Sequence, residues 1–196
     1  MEAVFTYLAE HFDLPILAWI AAHLRTAFGD AVMPVITLLG DAGIFWIALA
    51  VVFLFIPKYR KMGLGMGVAL IMGLLICNVT LKPLCARIRP YDLLAKKDII
   101  VNLLIEAQHD FSFPSGHTIA SFEAAVVLLK NSKKMGIPAM ILAVLISFSR
   151  LYLYVHYPTD VLAAVILGTL FALIGDAIAA RVAPKLLSGK KGKFQA

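Results

Sequence analysis

Long uncharged segments separated by short charged connections make up most of the chain after residue 40. Residues 42–56 and 62–81 contain no charged side chain, and neither do residues 135–148 and 161–175. Helices of about 20 apolar residues cross the hydrocarbon core of a bilayer, which is about 30 Å thick. The pattern therefore predicts an all-α integral membrane helical bundle. We expect five spans, at about residues 41–56, 62–81, 115–129, 135–153 and 158–180.

The first forty residues have a different pattern, in which charged side chains such as Asp13 and Arg25 interrupt the apolar face. No uncharged window long enough to cross a bilayer occurs there. We interpret residues 1–40 as amphipathic helices that lie at the membrane interface. A tilted sixth span within residues 14–39 is the alternative.

The overall composition favours a membrane domain over a soluble protein. Hydrophobic residues make up 61% of the 196 residues, and the mean hydropathy is +0.89. The net charge of +6 comes from short basic runs between apolar segments, so we expect no nucleic-acid partner. We predict one membrane-embedded domain over residues 1–196, with a helical core at 41–180 and a basic cytoplasmic tail at 181–196.

The distribution of lysine and arginine predicts how the helices are oriented in a cell membrane. Connections 58–61, 130–134 and 181–196 contain three, three and five basic residues and no acidic residue. Cytoplasmic connections are rich in lysine and arginine, so we assign these three to the cytoplasm. The polar connections 82–113 and 149–160 then lie on the extracytoplasmic side of a multi-pass protein.

A cluster of polar residues at 149–160 interrupts the apolar background. Arg150, His156 and Asp160 lie there between two uncharged runs. Ionisable residues at a membrane edge are functional candidates, because burying them is costly. Pro158 suits the first turn of a helix, which places Asp160 near a helix N-terminus and about one turn after His156. An imidazole that is oriented by a carboxylate and lies beside an arginine is typical of a nucleophile at an anion-binding site. The alternative interpretation is a polar helix end that faces lipid headgroups.

Two further motifs are predicted to lie on the same side of the membrane. Lys82 and Arg89 frame the stretch KPLCARIRP at the end of the second span, and PSGH at residues 114–117 opens the third. With Arg150, these motifs supply three cations for a dianionic phosphate, and the free N–H groups of a helix start favour the same anion. His117 can share acid and nucleophile roles with the histidine of the first cluster. Each motif alone also fits an interface anchor or an ordinary helix start.

The three motifs, K-x6-R-P, P-S-G-H and S-R-x5-H-x3-D, resemble in spacing and order the signature of the type 2 phosphatidic acid phosphatase (PAP2) superfamily. The resemblance covers about residues 41–180 and implies metal-independent hydrolysis of a phosphate ester or anhydride through a phosphohistidine. It implies that His156 is the nucleophile, that Asp160 orients it, and that His117 is the general acid and then the base for water. The phosphate ligands that it implies are Lys82, Arg89, Ser115, Gly116, Ser149 and Arg150.

The resemblance also implies a substrate class, a lipid phosphate or diphosphate of the undecaprenyl diphosphate or phosphatidylglycerol phosphate type. We expect no cofactor and no metal site, because the cations around both histidines would repel a divalent ion. A phosphotransferase, a vanadium-dependent haloperoxidase and a non-enzymatic carrier of lipid headgroups are the alternatives. Two histidines capable of acid–base chemistry favour the enzyme over the carrier.

Charged residues outside the three motifs have ordinary interpretations. We expect Arg87 to be a surface or headgroup contact and His109 to be solvated. Glu123 and Asp176 fall inside predicted spans, where we expect each to pair with a neighbouring helix or with the interface.

Overall fold

The computed structural model describes residues 2–188, and the side chains of residues 2–184. Within this part of the chain the regular secondary structure is helical, which confirms the predicted all-α bundle. Residues 181–188 continue the last helix, and the rest of the predicted basic tail lies outside the described residues. The α-helices are α1 (Glu2–Leu8), α2 (Leu14–His23), α3 (Ala27–Leu38), α4 (Ile44–Phe55), α5 (Arg60–Met72), α6 (Lys82–Cys85), α7 (Pro90–Ala95), α8 (Gly116–Asn131), α9 (Lys133–Tyr152) and α10 (Pro158–Ser188).

Among the described residues, four helical stretches are long and apolar enough to cross a membrane, where five spans were predicted. They are Ala27–Phe55, Arg60–Ala95, Lys133–Tyr152 and Pro158–Pro184. The remaining predicted span is α8, whose 16 residues rise about 24 Å, less than the thickness of the hydrocarbon core. The first stretch begins before the predicted residue 41, because α3 and α4 follow each other through the 3₁₀ turn Asp41–Gly43. The protein is thus a multi-pass membrane protein.

Helix α8 forms the centre of the bundle. Helices α5, α9 and α10 pack around it, and its residues Ala124, Ala125 and Val127 have no exposed surface. The indole Nε1–H of Trp46 on α4 donates to Ser121 Oγ on α8 at 3.0 Å, so α4 is fixed to the same centre. Because buried positions occur all around α8, the helix is held on every side and its N-terminus has a defined place.

Two π-helical segments interrupt the regular helices, Ala9–Asp13 between α1 and α2 and Gly73–Leu81 between α5 and α6. A π-helical turn changes the direction in which the following side chains point, and such turns are frequent at functional sites. The first segment ends at Asp13, and the second is followed directly by Lys82; both side chains are buried.

The acidic residues inside the bundle contact neighbouring helices, as expected. Asp176 on α10 lies 3.3 Å from Lys61 Nζ and 3.1 Å from Lys130 Nζ, and it accepts a hydrogen bond from Asn131 Nδ2 at 2.7 Å. Glu123 on α8 lies against Gly73, where an added Cβ would overlap the carboxyl group. Gly73 therefore allows this carboxyl group to approach the main chain of the neighbouring helix.

Candidate functional site

One cavity of about 760 Å³ brings together six of the nine residues predicted for the site. These six are Lys82, Arg89, Gly116, His117, Arg150 and His156. Apolar residues of α4 and α5, among them Ala50, Val51 and Ile71, line another part of the same cavity. The cavity therefore combines a cationic, histidine-containing end with an apolar wall.

The other three predicted residues are buried beside the cavity without lining it. Asp160 has no exposed surface, and its Oδ2 lies 3.5 Å from Nδ1 of His156. The hydroxyl group of Ser149 donates to the carbonyl oxygen of Ile146 at 2.6 Å, and that of Ser115 accepts from Thr118 Oγ1 at 3.1 Å. Both serine hydroxyl groups thus have partners within their own chain segments.

The connection between α9 and α10 positions His156, whose side chain is almost fully buried. Its Nδ1 lies 3.5 Å from both Ser112 Oγ and Asp160 Oδ2, and its Nε2 lies 3.3 Å from Arg89 Nη1. We assign the ring proton to Nδ1, because the carboxylate behind it can accept and the guanidinium in front cannot. Burial, followed by the charges of Arg89 and Arg150, lowers the pKa of His156 well below its ordinary value. The ring is therefore neutral, and a lone pair on Nε2 faces the cations.

His117 lies in the first turn of α8, next to an acidic residue that the motifs do not include. Its Nε2 is 3.3 Å from Oδ1 of Asp41, in the 3₁₀ turn before α4. A Cβ at Gly40 would lie 2.8 Å from Cδ2 of this imidazole, so the close approach requires glycine there. Burial, followed by the charge of Arg150, lowers the pKa of His117, whereas a carboxylate at this distance acts in the opposite direction and favours the protonated form that a general acid needs.

The three cations have protein partners that fix their positions. Arg150 Nη1 donates to Thr37 Oγ1 on α3 at 2.6 Å. Arg89 Nη2 donates to Oδ1 of Asp110 at 2.5 Å, and Lys82 Nζ bonds to the other oxygen of the same carboxylate. Burial raises the pKa of Asp110, but the two cations outweigh this effect and lower the pKa to about 2. A carboxylate thus bridges two of the proposed phosphate ligands.

The prediction that Arg87 is a surface or headgroup contact is wrong. Its side chain is buried, and Nη1 donates to Asp160 Oδ1 at 2.5 Å while Nη2 donates to Asp13 Oδ2 at 2.6 Å. His109, in contrast, is exposed as expected. Asp13 had no signal in the sequence, since it lies in the segment that the motifs do not cover. Ser112, three positions before Ser115, and Asp110 could have been noticed from their nearness to the PSGH motif.

Comparison with known proteins identifies relatives that are similar to this chain in sequence and in fold. The model of the PAP2 superfamily matches residues 62–181. The undecaprenyl-diphosphatase of Sulfolobus acidocaldarius is 34% identical over 63% of this chain, a match that spans 58% of that protein's length. The undecaprenyl-diphosphatase of Bacillus subtilis is 32% identical over 75% of each chain. The crystal structure of a transmembrane PAP2-type phosphatidylglycerolphosphate phosphatase from Bacillus subtilis has a TM-score of 0.66 and 28% identity, covering 98% of this chain and 96% of that one.

Proposed function

This chain belongs to the PAP2 superfamily, as its motifs predicted, and from that premise we propose that it is a membrane lipid phosphatase acting through a phosphohistidine. The observation that carries the proposal is the shared cavity, in which His156 and His117 face three cations. Asp160 lies directly behind one of these histidines. Cations alone would suit a protein that holds headgroups, whereas the two histidines supply the groups that phosphoryl transfer needs.

Lys82, Arg89 and Arg150 bind the phosphoryl group in this proposal. All three residues are buried, so their charges act in surroundings where water screens them weakly. The two guanidinium groups offer planar pairs of donors that match phosphate oxygens. As charge shifts from the attacked phosphorus to its oxygens, these fixed cations stabilise the transition state without first having to reorganise.

The reaction consists of two displacements at phosphorus. In the first, the Nε2 lone pair of His156 forms a bond to phosphorus as the bond to the leaving oxygen breaks, and His117 gives its proton to that oxygen. Asp160 stabilises the positive charge that develops on the imidazole of the nucleophile. In the second, water forms a bond to phosphorus as the bond between phosphorus and Nε2 of His156 breaks, and His117 takes a proton from the water, which releases inorganic phosphate and restores both histidines.

The substrate is a phosphate or diphosphate ester with a long apolar chain, of the undecaprenyl diphosphate or phosphatidylglycerol phosphate type. The apolar wall formed by α4 and α5 supports this class, because it continues from the cationic end of the cavity and would cover hydrocarbon. The names of the relatives from Sulfolobus acidocaldarius and Bacillus subtilis describe enzymes for these two kinds of lipid.

The site faces the extracytoplasmic side of the cell membrane in this proposal, as the distribution of basic residues predicts. The test uses single cysteines in a background without Cys77 and Cys85. A cysteine at Asn102 should react with an impermeant thiol reagent in intact cells, whereas a cysteine at Lys133 should react after lysis. The reverse pattern would show that the orientation is inverted.

The two histidines give the sharpest test of the chemistry. Phosphate release from lipid and aryl phosphates should continue in EDTA, and His156→Ala should form no phosphoenzyme in a single turnover with either leaving group. His117→Ala should lose about 10²–10⁴-fold on a lipid monophosphate and less on an aryl phosphate, whose phenol leaves more easily without a proton. His109→Ala, which replaces an exposed histidine, is the control and should behave as wild type. Phosphoenzyme in the His156 variant would overturn the proposed nucleophile.

A further inference from the structure

A buried arginine lies between two buried carboxylates on the far side of Asp160 from the cavity. Arg87 bonds to Oδ1 of Asp160 at 2.5 Å and to Oδ2 of Asp13 at 2.6 Å. Neither carboxylate has exposed surface, and 2% of the arginine side chain is exposed. Charges buried this completely are costly unless they are paired, so the three groups form one unit.

Asp13 joins this unit to the first turn of α10 as well. The backbone N–H of Thr159 donates to Asp13 Oδ1 at 2.9 Å, and its hydroxyl group donates to Oδ2 at 2.8 Å. Arg87 Nη1 also donates to this hydroxyl group at 2.8 Å, and the guanidinium lies 3.9 Å from the ring centre of Tyr157. Tyr157 follows His156 at the end of the connection and Thr159 lies in the first turn of α10, so the network holds this end of the connection in place.

The two oxygens of Asp160 have separate partners. Oδ1 accepts from Arg87, whereas Oδ2 accepts from the Tyr157 backbone N–H at 3.0 Å and from the Ser112 hydroxyl at 2.5 Å. Oδ2 is also the oxygen that lies 3.5 Å from Nδ1 of His156. The arginine therefore fixes the rotation of the carboxylate in the orientation that presents Oδ2 to the imidazole.

We infer that Arg87 and Asp13 are positioning residues that set the orientation and the effective charge of Asp160 toward His156. The inference rests on the proposed phosphohistidine chemistry. An arginine paired with Asp160 alone would neutralise it and weaken its support for the developing imidazolium. The second carboxylate of Asp13 compensates for the arginine, so that the three groups together keep one negative charge behind the nucleophile.

The decisive variant is Asp13→Asn, which keeps the size of the side chain and an oxygen that can accept from the Thr159 N–H. The rate of phosphoenzyme formation from p-nitrophenyl phosphate should fall about tenfold. This is the loss expected if the imidazole becomes less basic by about one pKa unit and the rate follows its basicity. The inhibition constant of inorganic phosphate, which forms no bond to the imidazole, should stay within twofold. The acidic limb of the pH–rate profile should move to lower pH, because a negative charge near His156 has been removed.

Glu10→Gln is the matched control, since it removes an exposed acid from the same π-helical segment without touching the network. Its rate and pH profile should equal those of wild type. Thr159→Val keeps every charge but removes the hydroxyl bonds, and it should give a smaller loss in the same direction. This variant tests the inference if Asp13→Asn does not fold.

Two results separate this inference from the function on which it rests. If wild type forms a phosphoenzyme and Asp13→Asn forms it at the same rate and with the same pH profile, the network is merely structural and the inference fails. A fall in melting temperature without a change in rate has the same meaning. If wild type forms no phosphoenzyme, the proposed function itself fails.

Discussion

Replacing Asp110 by asparagine should strengthen the binding of phosphate to the cavity. In the structure its carboxylate bridges Lys82 and Arg89. It therefore lies where a phosphoryl group bound to these two cations would lie. A bound phosphate has to displace these two contacts. Asparagine keeps the shape of the side chain and the backbone carbonyl that accepts from Arg89 Nε at 2.9 Å, but it removes the competing charge.

The size of the effect follows from how exposed the carboxylate is. A buried hydrogen bond to a charged group contributes about 1.5–3 kcal/mol, whereas an exposed ion pair contributes about 0–1 kcal/mol. Because 54% of the Asp110 side chain is exposed, water solvates the displaced carboxylate, and we take about 1 kcal/mol. Since about 1.4 kcal/mol corresponds to tenfold in affinity, the inhibition constant of inorganic phosphate should fall about fivefold.

This difference should be independent of pH in the ordinary working range. The pKa of Asp110 is lowered to about 2 by its two cations, so the ion pair is complete above the unfolded pKa of about 3.9. It is lost as the pH falls toward the folded value. Between about pH 5 and pH 8 the carboxylate stays ionised, and the ratio of the two inhibition constants should stay constant.

The assay measures inhibition of aryl phosphate hydrolysis by inorganic phosphate. Glu106→Gln serves as the control, because it removes an exposed acid from the same connection. The inhibition constant of this control should match that of wild type. A constant for Asp110→Asn that is equal to or higher than wild type would refute the reasoning, because Asp110 would then be needed to position the cations.

Two further predictions concern Arg150 and His156. Arg150→Lys should lose roughly tenfold in kcat/KM despite its unchanged charge, because an ammonium group lacks the planar fork that reaches Thr37 and, in the proposed function, two phosphate oxygens; wild-type kinetics would contradict a direct role. Because the pKa of His156 is lowered in the folded protein, its imidazole stays neutral there below about pH 6.5, whereas the same imidazole in the unfolded chain binds a proton. Stability in detergent should therefore fall with pH below that value, by up to about 1.4 kcal/mol per unit, and less steeply for His156→Gln. The same change of melting temperature with pH in wild type and in His156→Gln would contradict this assignment.

The helices, and the grouping of candidate site residues at one cavity, could be predicted from local features of the sequence. Uncharged runs limit where helices can begin and end, so α4 at Ile44–Phe55 and α9 at Lys133–Tyr152 lie close to the predicted spans. Three motifs with fixed spacings placed six predicted residues on one cavity. These features depend on neighbours along the chain, which is why one sequence was sufficient.

The partners of the charged residues could not be predicted, because they come from distant parts of the chain. Asp13 and Arg87 are 74 positions apart, and Thr37 and Arg150 are 113 apart. The periodic pattern of hydrophobic residues predicts helices, but it does not show which distant residues meet. The place of Arg87 also depends on the end of α6 at Cys85, after which Ala86 adopts a φ of 45° and the chain leaves the helix. A helix continued through KPLCARIRP would have placed the arginine elsewhere.

The first 41 residues support the site although the match to the superfamily begins at residue 62. Thr37 bonds to Arg150, Asp41 lies beside His117, and Asp13 bonds to Arg87. Two of these contacts hold motif residues at the site, and the third holds Arg87, which lies directly behind Asp160. A chain that began at residue 62 would contain every motif residue, yet Arg150 and Arg87 would lose buried partners and His117 its neighbouring acid. In the proposed function the motifs supply the groups that meet the substrate, and the segment before them supplies contacts that hold those groups in place.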